Sequence, residues 1–188
     1  MPPHRDSSRK AQLLEASYRY VLVHGIAGFS LRPLAAAVGS SPRVLLYLFG
    51  SKDGLVRALL ARSRAEELEL LADLRASPAD GLDQVGVRLW DWLAAEPRRG
   101  LLTLWLEGYT QSLVEPTGPW ANFARSTIDD WLALLAEHQT DPSSMAAAIE
   151  RTSVLAILRG ALLDLLATGE TERLTPTVHY ALTNHVPP

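Results

Sequence analysis

Apolar residues recur along this chain three and four apart, the repeat of a helix, and no stretch alternates as a half-buried strand would. Leu13, Leu14, Ser17, Tyr20, Val21 and Val23 give Ser8–His24 a wide inward face. HGIAGFS then reads as a glycine-punctuated turn, with Phe29 placed to plug a small core. Leu31, Leu34, Ala35 and Val38 mark one face of a short helix that Ser30 caps, Pro33 enters in its first turn and Gly39 stops. Ser41 caps another, with Pro42 at its first position. From Ser51 the pattern of Leu55, Val56, Leu59, Leu60, Leu68, Leu71 and Leu74 predicts one long helix to about Arg75, stopped at Ser77–Pro78. At the ordinary helical rise it is roughly 36 Å long, enough to act as a stiff lever.

The remainder reads as helices over Asp80–Ala95, Arg99–Val114, Trp120–Gln139 and Asp141–Thr168, with Gly169 as a stop. A last one opens at Thr175–Pro176 and ends near His185. Residues 1–8 show no period and read as a disordered arm. The expected fold class is all-α.

A helix, a tight turn with glycine and a second helix is the helix-turn-helix plan, whose second helix enters the major groove of DNA. Read at the helical repeat, Leu45, Leu48 and Phe49 point inward and Arg43, Val44, Leu46 and Tyr47 outward. An arginine there can bond a guanine edge, and Val44 or Leu46 can touch a thymine methyl. A plain surface helix pair has the same pattern.

Charge changes that balance. The chain carries net −3, but residues 1–62 hold nine Lys/Arg against three Asp/Glu and the rest nine against eighteen. A basic head on an acidic body suits a nucleic-acid reader with a second, non-nucleic task. Lys52 adds a local hint. A cation at the start of a helix opposes the macrodipole, but with the helix amides it could hold a phosphate.

At 188 residues, 47% hydrophobic and 21% charged, the composition is that of a globular chain. The absence of cysteine excludes disulfides and thiolate metal sites. MPPHRDSSRK lacks the apolar run of a signal peptide, and Val154–Ala167 is too short and too charged to span a bilayer. A cytoplasmic location without membrane contact follows by elimination. No two of the five histidines sit three or four apart, and no nucleophile elbow or phosphate loop is present. Neither catalysis, nor a metal, nor a cofactor is expected.

Arg9–Arg62 resembles the DNA-binding segment of TetR-type transcriptional regulators, through Leu34, Ala35, Val38, Gly39, Ser41, Leu45, Phe49, Ser51, Lys52 and Leu55. The family usually has Val where Ser40 stands, Tyr where Leu46 stands, and His or Tyr where Leu48 stands. The resemblance implies an N-terminal DNA-binding domain, residues 1–51, joined by the long helix to an effector-binding and dimerisation domain, residues 52–188. Ser30, Arg32, Ser41, Arg43, Val44, Tyr47 and Lys52 are the expected DNA-facing residues. Phosphate contacts fall to Ser30, Lys52 and Tyr47, and base contacts to Arg43, Val44 and Tyr47.

The resemblance also implies a small-molecule effector among the helices of residues 80–140. All five tryptophans lie in the body. Trp90, Trp105, Tyr109, Trp120, Phe123 and Trp131 are the candidate walls of a partly apolar site, with Glu107, Asp91 and Asn122 as polar anchors. Aromatics at helical spacing serve equally as core.

Val154–Ala167 is Ala, Val, Ile or Leu at 11 of 14 positions and so needs cover on several sides. A second copy is the natural cover, with Leu155, Leu158, Leu162, Leu166, Val178 and Leu182 as the expected homodimer face. ALLDLLATGE is also similar to the dimer-side helix end of that family. The function so implied is a repressor released from a near-palindromic double-stranded operator by a small molecule. The alternative is a ligand-binding protein of the same fold whose DNA recognition is weak or lost, as apolar Leu46 and Leu48 would allow.

Overall fold

The computed structural model describes residues 3–76 and 81–185, and among these it contains only helices and turns. In chain order they are α1 (Pro3–His24), α2 (Leu31–Ala37), α3 (Pro42–Phe49), α4 (Lys52–Ala76) and α5 (Leu82–Ala94). α6 (Arg99–Val114), α7 (Phe123–Glu137), α8 (Met145–Thr168) and α9 (Thr171–His185) follow. Short 3-10 turns at Glu96–Arg98 and Gly118–Trp120 lead into α6 and towards α7.

Four predicted helix starts move by three or more residues. α1 begins at Pro3, so residues 3–8 of the expected arm are helical; a proline costs nothing in a first turn, where its N–H would have no partner. Residues 1–2 and the predicted stop at Ser77–Pro78 lie outside the described residues. α7 begins at Phe123, after Asn122 breaks the helical path with a φ of 64°. α8 opens at the cap Ser144, whose Oγ accepts from Ala147 N at 3.1 Å, and Asp141 belongs to the turn before it. α9 begins at Thr171, so Pro176 lies inside it. Leu174, Val178 and Leu182 are all buried at a spacing of four, and Leu174 can join that stripe only if the helix starts before the proline. Asp164 grips Arg173 at 2.8 and 3.0 Å and holds this first turn.

The chain divides into two compact units, Met1–Glu67 with Thr103–Arg125, and Leu68–Leu102 with Ser126–Pro188. The first has one core. Leu13, Tyr18, Val21, Ile26 and Phe29 meet Leu34, Leu45, Phe49, Leu55, Leu59, Leu104, Trp120 and Phe123 there. The first three helices alone bury too little apolar surface for stability. α4 and residues 103–125 supply the rest. Tyr18 OH donates to Glu66 at 3.1 Å, and Arg62 Nε donates to Glu15 at 3.0 Å, which ties α1 to α4. Burial, and then the charge of Glu66, pushes the Tyr18 phenol above its ordinary range.

In the second unit α5, α8 and α9 pack on one another. Gly86 lets α5 approach closely: a Cβ there would lie 3.0 Å from Leu182 and 3.2 Å from Val154. Trp90 is buried, and its Nε1 donates to Thr175 Oγ1 at 3.1 Å. Arg99 donates to Leu165 O at 2.8 Å and to Thr171 Oγ1 at 3.1 Å, joining the end of α8 to the start of α9. Arg99→Ala therefore removes a charged donor from two acceptors. A thermal melt should show about 2 kcal/mol lost, roughly 4–8 °C in midpoint.

The predicted dimer face needs correction. Leu155, Leu158, Leu162, Val178 and Leu182 are buried within the single chain, and Leu166 is half-buried. The five buried residues fill the core of this unit, and Leu166 stays partly open. The opposite flank of α8 stays open instead, through Ile149, Ala156, Gly160 and Leu163, together with Tyr180 of α9.

Candidate nucleic-acid interface

The local sequence builds the helix pair closely along the predicted lines. Leu34 and Ala35 of α2 and Leu45 and Phe49 of α3 are buried in a common core, and Leu48 packs at its edge. The turn between the helices closes with Ser40 N donating to Ala35 O at 2.8 Å. Gly39, at a φ of 62°, supplies the left-handed residue such a stop requires. Ser41 Oγ then accepts from Val44 N at 3.3 Å and caps α3. Ser30 holds the cap position of α2 with extended backbone, but its side chain makes no cap bond.

The other side of α3 is open. Arg43 and Leu46 are exposed and Tyr47 is 76% accessible. Ser30, Arg32, Ser41 and Lys52 are exposed as well. Val44 differs from the prediction: it is half-buried against the core. It lies on the flank of α3, where the apolar cluster outcompetes solvent for its methyls.

Two cations are placed by aromatic rings. Lys52 Nζ lies 5.0 Å from the Phe29 ring centre, and Lys10 Nζ lies 5.4 Å from that of Phe49. Each ring thus holds an ammonium beside one end of the helix pair. Lys10 escaped the sequence reading because nothing in the pattern of α1 says that it meets Phe49.

The junction of α3 and α4 is tight. Gly50 turns the chain at a φ of 80°, and Ser51 Oγ accepts from Gly54 N at 2.9 Å to cap α4. A Cβ on Gly54 would lie only 2.0 Å from Phe49 O. Gly54 is a second residue the pattern missed. Its requirement comes from a backbone approach that no periodicity reveals.

The expected effector residues divide between the units. Trp120 and Phe123 are buried in the first core, with Trp105 against it. Trp105 and Tyr109 stand with ring centres 5.0 Å apart. Trp90 and Trp131 are buried in the second unit. The polar anchors have other engagements. Asp91 meets His179 at 2.8 Å, and Glu107 accepts from Ile26 N and Ala27 N. Asn122 is exposed. Among the described residues no helix is long and apolar enough to cross a membrane.

Residues 13–59 match the family model for bacterial regulatory proteins of the tetR family. A curated relative, the HTH-type transcriptional regulator BetI of Burkholderia thailandensis, is 28% identical over 114 residues. The N-terminal segment of this chain thus resembles that of TetR-family regulators. The match to BetI covers 58% of this chain and 57% of that relative. A TetR transcription regulator from Haloarcula marismortui superposes with a TM-score of 0.75, covering 96% of this chain and 97% of its own, at 20% identity. The multidrug binding protein EbrR, solved with imidazole, superposes with a TM-score of 0.71 at 26% identity, covering 100% of this chain and 95% of its own. The TetR fold, an N-terminal helix-turn-helix followed by further helices, therefore runs through the described residues.

Proposed function

We propose that this chain is a DNA-binding transcriptional regulator of the TetR type, a repressor whose hold on its operator is released by a small molecule. The observation that carries the reading is the open face of α3, with Arg43, Leu46 and Tyr47 turned to solvent inside the segment that matches the family model. A guanidinium on that face suits a guanine edge, and Leu46 suits a thymine methyl. Ser30, Arg32, Lys52 and Lys10 supply hydrogen bonds and charge for phosphates. Residues 1–51 then work as the reading head, and residues 52–188 carry the effector and dimer functions.

The exposed stripe Ile149, Ala156, Gly160 and Leu163 supports a homodimer, because small and apolar residues let two helices approach across a two-fold axis. Two copies would set their α3 helices about 34–36 Å apart, one turn of the duplex. The resemblance to a multidrug binding protein supports a small-molecule effector. Effector and DNA then oppose each other by one coupling free energy, so DNA must weaken effector binding as much as effector weakens DNA.

Lys52→Ala tests the phosphate role. It should weaken a selected duplex and a random duplex alike and reduce the salt slope of log K by about 1. Fluorescence anisotropy over a salt series reads both. An unchanged slope would remove Lys52 from the interface. The exposed apolar Leu46 favours the second reading, a ligand-binding protein with little hold on DNA. For that protein, affinity for duplex DNA stays negligible even at low salt.

A further inference from the structure

The turn between α1 and α2 is held from a distance. Its two successive amides, Ile26 N and Ala27 N, both donate to Oε2 of Glu107, at 2.5 and 3.1 Å. Glu107 stands on α6, some eighty residues along the chain and within the same compact unit. The turn is shaped to receive it. Gly25 takes a φ of 79°, which lets consecutive amides point the same way, as in an anion nest. A Cβ on Gly25 would also lie 2.6 Å from Glu107 Oε1. Ile26, next in the chain, is buried in the core with Phe29. The turn thereby sets where α2, and α3 with it, stand on α1.

We infer that Glu107 is a positioning residue for DNA reading, a latch by which α6 holds the α1–α2 turn in the form that presents α3. The inference rests on the DNA-binding reading above. Glu107 lies within α6, so a movement of this helix that draws the carboxylate off the amides releases the turn. Both bonds end on one oxygen, so withdrawing that oxygen beyond hydrogen-bond reach breaks them together. The reading head would then spend less time in its competent form, and apparent affinity falls by that fraction.

The test uses the full chain and a duplex that the wild type selects from a randomised pool, beside an unselected duplex. Glu107→Ala should bind the selected duplex about tenfold more weakly, with the unselected duplex changed less than about twofold. Amide hydrogen exchange should quicken at residues 26 and 27. Glu107→Gln keeps an acceptor of the same reach and should restore specific binding to within about threefold. Glu107→Asp is one methylene short and should behave like the alanine variant. Should Glu107→Ala fail to fold, the aspartate variant decides. Full specific affinity in Glu107→Ala or Glu107→Asp overturns the latch, and equal loss on both duplexes reduces Glu107 to a purely structural residue. A wild type that selects no sequence refutes the DNA-binding reading itself, separately from the latch.

Discussion

Gly54→Ala is expected to lower the melting midpoint by roughly 6–12 °C, for a loss of about 3 kcal/mol. The added methyl would lie 2.0 Å from the carbonyl oxygen of Phe49; a Cβ is fixed by its own backbone and the oxygen is itself backbone, so neither can turn aside as a side-chain tip would. The ends of α3 and α4 must separate to admit it. That movement also strains the cap in which Ser51 accepts from Gly54 N. Alanine is the better helix former by up to about 1 kcal/mol, but this gain is smaller than the clash. Differential scanning calorimetry checks the figure. An unchanged midpoint would mean that α3 and α4 are not fixed to each other at this point. Because α3 ends at the same carbonyl, sequence-specific DNA affinity should fall with it.

Arg43→Ala is expected to weaken the selected duplex by about 10- to 100-fold, and to do so unevenly along the site. A guanidinium paired with one guanine carries its discrimination at that base pair alone. The wild type should reject a substitution there, and the variant should tolerate it. Substitutions elsewhere should cost both proteins the same. This pattern separates Arg43 from Lys52, whose loss should act alike on every sequence. Anisotropy titrations against a panel of singly substituted duplexes measure it. A uniform loss across the panel would place Arg43 on the backbone and leave the base contacts to other residues.

The helices were legible in the sequence because their apolar faces are regular, and the reading head doubly so because glycine and serine punctuate it. Gly39 and Ser41 could be assigned from their chemistry alone, since a left-handed stop and an oxygen cap leave few other candidates. Tertiary choices were less visible. Leu155, Leu158 and Leu162 look like an interface because α8 is apolar nearly all round, and periodicity cannot say which side the chain itself covers. α5 and α9 take that side, and a milder stripe of Ile149, Ala156, Gly160 and Leu163 is left outside. Val44 similarly sits at the angle where groove and core compete. Glu107, a polar residue among aromatics, has the sequence character of a ligand anchor. Its partners are main-chain amides eighty residues away, and amides carry no sequence signal.

One measurement bears most directly on the proposed pairing of two outward α3 faces. Hydroxyl-radical footprinting of the purified chain on a duplex it selects from a randomised pool reads the spacing of contacts along both strands. Two equivalent protected patches on one side of the duplex, about one helical turn or a multiple of it apart, are the expected result. A single patch, or no protection even at low salt, would contradict a paired DNA reader.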